Sequence, residues 1–233
     1  MKAVQKIIKT AFDRVLALLA IIVLSPIMIV AAIGIKYSSK GKIIYKAKRM
    51  GYGVKPFIIY KFRTMHERAE KGSAITGAHD QRIFKWGEIL RKTKIDELPQ
   101  LFNILNGTMS IIGPRPEDVD IVEDYYTEEE KRTLSVLPGL ACPGSIYNYT
   151  FGERYLTDGK AMEIYVNSLL HIKLSLDLYY LEHWNLIYDV LLIFRTIYAI
   201  LANMLGKEIK KYPYEYVQLY GQKDMMKVLD EGK

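Results

Sequence analysis

Cysteine is nearly absent from this chain: Cys142 is the single one in 233 residues. No intrachain disulfide can form, so a reducing compartment is expected. Histidine is scarce too. His66, His79, His171 and His183 show no metal-ligand spacing and receive no role. Acid is outnumbered, with 26 Asp and Glu against 33 Lys and Arg, a formal charge of +7 and a pI near 9.2. That balance favours an anionic partner, whether nucleic acid, a lipid surface or a phosphorylated substrate. No internal repeat, low-complexity tract or nucleic-acid motif is visible. What remains is half apolar and long enough for one packed domain plus an appendage.

Charge is also missing from Val15 to Ile35. That length is close to the roughly 20 residues that cross a bilayer. No small-residue cleavage site closes the run, which speaks against a signal peptide. Two features complicate a simple span. Ser25-Pro26 sits mid-run, and proline removes a backbone donor and kinks a helix. The serine hydroxyl can bond back to a freed carbonyl. Basic residues also flank both ends: Lys2, Lys6, Lys9 and Arg14 before, then Lys36, Lys40, Lys42, Lys46, Lys48 and Arg49 after. Both clusters favour the cytoplasmic side. A re-entrant hairpin turning at Ser25-Pro26 satisfies both, while an ordinary kinked span stays open.

The densest chemistry lies in Lys94 to Glu117, KIDELPQLFNILNGTMSIIGPRPE. Asp96 and Glu97 are adjacent acids, which repel unless a cation or catalysis accounts for them. Arg91, Lys92 and Lys94 precede them. Arg115 stands between Pro114 and Pro116, which restrict its backbone and suit it to bidentate phosphate capture. Acids able to hold a metal or attack phosphorus, beside bases able to hold phosphate, point to phosphoryl chemistry.

Elsewhere the pattern is plainer. Lys42 to Met65 reads as two short strands around Gly51 and Gly53. Lys61 and Arg63 share a face of the second strand and, on pattern alone, form a solvated basic edge. Glu67 to Asp80 reads as a loop, and Arg82 to Thr93 as a helix. Asp118 to Leu137 reads as an acidic helix, Leu137 to Gly159 as an irregular loop, and Lys160 to Gly206 as helical. Tyr179 to Leu205 is strongly apolar, but Glu182, Asp189 and Arg195 argue against a second span. Trp184, Tyr188, Phe194 and Tyr198 suit the headgroup level, with a core helix as the equal alternative.

Taken in order, these pieces make the chain resemble the bacterial sugar transferase family. The resemblance runs from the Ser25-Pro26 apolar segment through Lys61-Phe62-Arg63-Thr64-Met65 and Asp80-Gln81-Arg82-Ile83. It continues through Leu90–Leu105, Met109–Glu117 and Leu176–Ile197. Each piece is weak alone, but their order and spacing are specific. With no large extra membrane region before it, the chain resembles the family's minimal form. The family consists of monotopic phosphoglycosyl transferases, which move a sugar 1-phosphate from a nucleotide sugar to polyprenyl phosphate. The resemblance implies an aspartate nucleophile at Asp96, Glu97 beside it, and a requirement for Mg2+ held by Asp96 and Glu97. It places Lys61, Arg63, Arg91 and Arg115 near the phosphates. It also implies a re-entrant helix with the catalytic domain on the cytoplasmic face of the bacterial inner membrane.

After Pro138-Gly139 the chain departs from the family pattern. Leu140–Tyr155 reads LACPGSIYNYTFGERY, and Tyr149 falls about where the family has an arginine. Arg154 is a candidate replacement, and the loop is the expected reader of the sugar.

The expected fold is therefore α+β. It comprises a re-entrant helix-break-helix over 1–40, a mainly helical catalytic domain with a small β-hairpin over 41–206, and a basic tail over 207–233. Interfacial amphipathic helices complete the anchor. The expected partners are a UDP-sugar, polyprenyl phosphate and membrane lipids, with no nucleic acid, and homo-oligomerisation is left open. Two rivals are kept: a membrane-anchored glycosyltransferase that releases UDP, and a non-catalytic basic protein that binds membrane or nucleic acid.

Overall fold

The structure, a computed structural model, describes residues 3–67, 80–156 and 160–225. A long helix α1 (Ala3–Ser38) leads into an antiparallel hairpin of β1 (Ile44–Met50) and β2 (Pro56–Phe62), with Ile44 opposite Phe62 and Met50 opposite Pro56. Helices α2 (Lys85–Lys92) and α3 (Gln100–Leu105) follow, then strand β3 (Ser110–Ile112) and helix α4 (Val119–Tyr125). Strand β4 (Gly139–Ala141) pairs with β3 in parallel, Ser110 opposite Gly139 and Ile112 opposite Ala141. The remainder is helical: α5 (Pro143–Thr150), α6 (Ala161–Ile164), α7 (Leu170–His183), α8 (Leu186–Met204) and α9 (Tyr214–Tyr220). A π-helical turn, Tyr165–Leu169, joins α6 to α7. The expected α+β character holds, and the β3–β4 pair is added to the expected hairpin. The loop foreseen over Glu67 to Asp80 lies, apart from its ends, outside the described residues.

Helix α1 does not break at Pro26; the chain is helical on both sides of it. Proline cannot donate to the carbonyl four residues back, which here belongs to Ile22. Ser25 Oγ donates to that same oxygen at 2.8 Å. The serine thus supplies the bond that proline removes, and the expected interruption appears as a repaired position within one helix.

One face of α1 packs on the domain from its middle to its end. Toward its middle, Ala17 packs with Ala47, Ile59, Leu101, Ile104 and Met109. Near its end, Ala31 and Ile35 pack with Phe62, Phe84 and Leu90. Gly34 lies directly against the Trp86 ring, where a Cβ would sit 2.3 Å from Nε1. Trp86 Nε1 donates to Ala31 O. On the opposite face Ile22, Val23, Ile29 and Val30 are exposed.

The main core lies among α4 to α9 around Tyr147, Leu169, Leu170, Leu176 and Tyr216, all nearly without exposure. Tyr216 and Met225 are core residues, so the segment after Lys207 is not a detached basic tail. Its Tyr212 and Tyr216 stack on one another, and Tyr216 stacks on Tyr147 of α5, tying the segment to the domain.

The stretch expected as an irregular loop after Leu137 instead contains β4 and α5. Cys142 caps α5: its Sγ accepts from Ser145 N, Ser145 Oγ accepts from Cys142 N, and Pro143 occupies the first turn. This is a capping box with sulfur in place of the usual oxygen. The expected acidic helix after Asp118 is two pieces, α4 and a 3₁₀ run Glu130–Ser135. The charges in α8 turn inward: Asp189 accepts from Lys9, Tyr180 and Trp184, and Arg195 from the same helix grips Glu215. Trp184 and Tyr188 follow them inward, whereas Phe194 and Tyr198 remain exposed.

Candidate active site

The turn that carries the acid pair is set by Lys94. It adopts the left-handed conformation, φ 55°, ψ 15°, immediately after α2. Its N–H bonds back to Arg91 O, ending that helix. A single 3₁₀ turn, Ile95–Glu97, then presents Asp96 and Glu97, and Pro99 opens α3 without costing it a needed donor.

Arg115 arrives from the other side of the site. Gly113 and Gly139 hold its loop against β4, with Gly113 N donating to Ala141 O and Gly139 N to Pro114 O. A Cβ on Gly139 would lie 2.1 Å from Gly113 N, so the two strands approach only as glycines. In that cradle Arg115 Nη1 donates to Leu140 O at 3.0 Å and Nη2 to Glu97 Oε1. Lys61, near the end of β2, reaches the same oxygen at 3.4 Å.

The two adjacent acids end up in opposite states. Asp96 is 8% exposed, and its Oδ1 is buried without a hydrogen-bond partner among the described residues. Burial first, then the charge of Glu97, pushes its pKa up to about 6. Burial would also raise Glu97, but Arg115 and then Lys61 outweigh it and hold the carboxyl well below its usual range. Lys61 is itself lowered by burial, against the pull of Glu97. The site therefore keeps one acid ionised as a structural anion and leaves the other poised to titrate near neutrality.

A cavity of about 760 Å³ opens beside them, within the range for a small-molecule site. Lys61, Arg91, Glu97, Arg115 and Tyr149, all foreseen from the sequence, line it. Tyr149 OH donates to Lys92 O at 2.8 Å, and Lys94 Nζ lies 4.2 Å from its ring centre. Three foreseen residues do not line it: Asp96, directly before Glu97 in sequence, is buried, and Arg63 and Arg154 are engaged elsewhere. Arg63 is 6% exposed and spends its guanidinium on Ser39 Oγ, Ser39 O, Lys42 O and Met65 O. It fastens the end of α1 to the hairpin. Arg154 pairs with Glu208 on the exposed surface; its neighbour Glu153 lines the cavity instead.

The sequence reading missed a second charged cluster in the cavity. Lys173 Nζ donates to Glu117 Oε1 at 2.7 Å, and Tyr165 OH donates to the same carboxylate. Arg49 pairs with Asp118 at its edge. Burial would raise Glu117, but Lys173 outweighs it and keeps the acid low. Only the place of Glu117 directly after Pro116 hinted at this role, because its partners lie far along the chain.

The donor set suits magnesium of a particular kind. Among the described residues no three His, Cys, Asp or Glu side chains converge on a metal site. Magnesium at phosphate sites takes one or two carboxylates and fills its shell with water and substrate phosphates. Glu97 lines the cavity, and the Oδ1 of adjacent Asp96 is unpartnered; these two carboxylates fit that role and would be its protein ligands.

A family model described as bacterial sugar transferase matches residues 4–203. Among curated proteins, the chain is 36% identical to a UDP-N-acetylgalactosamine-undecaprenyl-phosphate N-acetylgalactosaminephosphotransferase of Aeromonas hydrophila, over 84% of this chain and 44% of that protein. It is 34% identical to a UDP-glucose:undecaprenyl-phosphate glucose-1-phosphate transferase of Escherichia coli (strain K12), over 87% of this chain and 42% of the relative. An exopolysaccharide production protein PSS of Rhizobium leguminosarum bv. phaseoli matches at 32% identity, over 86% of this chain and 98% of the relative. The chain thus spans less than half the length of the first two relatives and nearly all of the third.

Proposed function

The chain belongs to the bacterial sugar transferase family, and from that premise we propose that it transfers a sugar 1-phosphate from a UDP-sugar to polyprenyl phosphate. The products are polyprenyl diphosphate-sugar and UMP, and the reaction starts a bacterial surface glycan. The observation that carries the reading is the division of labour between Asp96 and Glu97. Asp96 is buried and unpartnered at Oδ1; Glu97, which lines the cavity, is neutralised by Arg115 and Lys61.

In this mechanism an Asp96 carboxylate oxygen attacks the phosphorus next to the sugar. The new O–P bond forms as the bond to the bridging oxygen breaks, and UMP leaves. Arg115 and Lys61 stabilise negative charge on the phosphoryl oxygens as it shifts during transfer. A phosphate oxygen of the lipid then attacks the phosphosugar-enzyme, and Asp96 is released as carboxylate. Splitting the transfer lets a water-soluble donor and a lipid acceptor react in turn. Magnesium, when bound by Asp96 and Glu97, supplies charge neutralisation on the diphosphate.

The membrane reading is monotopic, with the catalytic domain on the cytoplasmic face. A 36-residue α-helix is about 54 Å long, and α1 and α8 are both long and apolar enough to cross a bilayer. Support for a monotopic, re-entrant α1 comes from its packing: Ala17, Ala20, Ile21, Met28, Ala31 and Ile35 all contact one domain, while Ile22, Val23, Ile29 and Val30 are exposed on the opposite face. A spanning helix could not keep that whole stripe on a domain lying on one side of the bilayer. For α8, the inward ties of Asp189 and Arg195 leave an apolar outer face suited to lying in the interface.

The test is nucleotide release over a panel of UDP-sugars. UMP release with a protein-bound phosphosugar adduct is expected. UDP release would identify an ordinary glycosyltransferase, and no release at all would leave a binding protein.

A further inference from the structure

The cavity lined by Glu97 has an apolar wall on one side. Ile193, Thr196, Ile197, Ile200 and Asn203 of α8 line it, spaced three and four apart along one stripe of that helix. A second apolar stripe of the same helix faces outward. Ile187, Leu191, Phe194, Tyr198 and Leu201 are each between 51 and 73% exposed. The charges of α8 occupy neither stripe's role, since Asp189 is held by Lys9 and Arg195 by Glu215. Helix α2 packs against α8 and brings Arg91 and Lys92 to the cavity. Among the described residues, neither forms an ion pair, unlike Lys61, Lys94, Arg115 and Lys173 in the same cavity.

This arrangement fits an amphiphile better than a nucleotide. The stretch from Ile193 to Ile200 offers almost no hydrogen bonding, because Thr196 Oγ is already spent on Leu192 O, and Asn203 at its far end is the polar exception. A ribose or base laid along Ile193, Ile197 and Ile200 would lose its partners in water and gain none from them. A hydrocarbon chain would instead bury area, at about 25 cal/mol per Å². The wall also borders a surface that the outward stripe would hold among lipid tails.

We propose that the inner stripe of α8, with α2 opposite, is the passage for the lipid acceptor. Its isoprenoid tail runs along Ile193, Ile197 and Ile200, and its phosphate meets Arg91 and Lys92 before reaching Asp96. The proposal rests on the transferase reading above and adds where the second substrate binds.

The two half-reactions separate this proposal from that reading. With the full chain in lipid nanodiscs, single-turnover UMP release from UDP-sugar alone reports the donor step. Transfer from the adduct to a long-chain polyprenyl phosphate reports the acceptor step. Ile200→Trp, which narrows the passage, should leave the UMP burst unchanged and raise the KM for the prenyl phosphate about tenfold. Leu201→Trp, one residue on but facing outward, should change neither. Ile200→Ala should keep the burst and raise the same KM about threefold, and it decides the matter if the larger variant fails to fold. Loss of the burst in both Ile200 variants would assign the wall to the donor and overturn the passage. Unchanged acceptor kinetics in both would overturn it as well. A wild-type chain that gives no burst would overturn the transferase reading itself, and the passage with it.

Discussion

The guanidinium of Arg115 donates to the carboxylate of Glu97, and this one contact separates the chemistry of two adjacent acids. Glu97 becomes a fixed anion. Asp96, its neighbour in sequence, stays unpartnered at Oδ1 and titrates near pH 6.

Asp96→Asn should abolish the adduct and turnover while leaving the circular dichroism spectrum unchanged. It should also raise the Tm at neutral pH by a few degrees. The sign follows from the raised pKa. Between about pH 4 and 6 the folded state holds a proton that the unfolded state has lost, so stability falls as pH rises through that window. Asparagine removes that buried charge. A variant with substantial turnover would remove Asp96 from the nucleophile's role.

The donor step should lose activity as pH falls through about 6, because the attacking carboxylate must be ionised. Glu97 remains charged throughout that range, so the acid limb should show a single ionisation. A flat profile of UMP burst rate from pH 5 to 8 would contradict this assignment.

Glu97→Gln should damage both stability and rate. It leaves Arg115 and Lys61 without their shared counter-charge, and breaking a buried ion pair costs about 3–5 kcal/mol. Arg115→Lys keeps a charge near Glu97 but cannot also hold Leu140 O through the same fork. Its rate should fall at least tenfold with a smaller loss of Tm. Near-wild-type kinetics for Arg115→Lys would reduce the arginine to a long-range charge.

Arg63→Ala should behave as a stability variant. Four hydrogen bonds to Ser39, Lys42 and Met65 are lost at the end of α1, and removing a buried charged donor leaves its acceptors unpaired, at about 1–3 kcal/mol. Thermal unfolding should shift down while the KM for UDP-sugar is unchanged. A raised KM with an unchanged Tm would restore the phosphate contact expected from the sequence.

Val4→Cys and Tyr37→Cys, at exposed positions near the two ends of α1, should both resist an impermeant thiol reagent in intact cells and both react after lysis. Cys142 can stay in place, since it is fully buried and burial raises its thiol pKa far above normal. Labelling of only the N-terminal site in intact cells would establish a span. Replacing Ser25 and Pro26 with Ala and Leu should shift some molecules toward spanning, because the helix would lose its weak point and the repairing hydroxyl.

The sequence by itself determined the chemical vocabulary of this protein: adjacent acids, an arginine between prolines, an uncharged run with basic flanks, and a motif order specific enough to imply the family. These are legible because each is local. Tertiary structure decided which of these groups meet. Lys61 and Arg63 are two residues apart, yet β2 ends at Phe62, and one turns to Glu97 while the other turns to Ser39. Glu117 finds Lys173 and Tyr165 only because α7 folds back beside the GPRPE loop. Helix α5 escaped the pattern rules because a thiol performs its cap, and the segment after Lys207 joined the core through stacked tyrosines rather than following its charge. Period and propensity specify which face of an element is buried; which partner waits there is set by long-range packing, which no local pattern records.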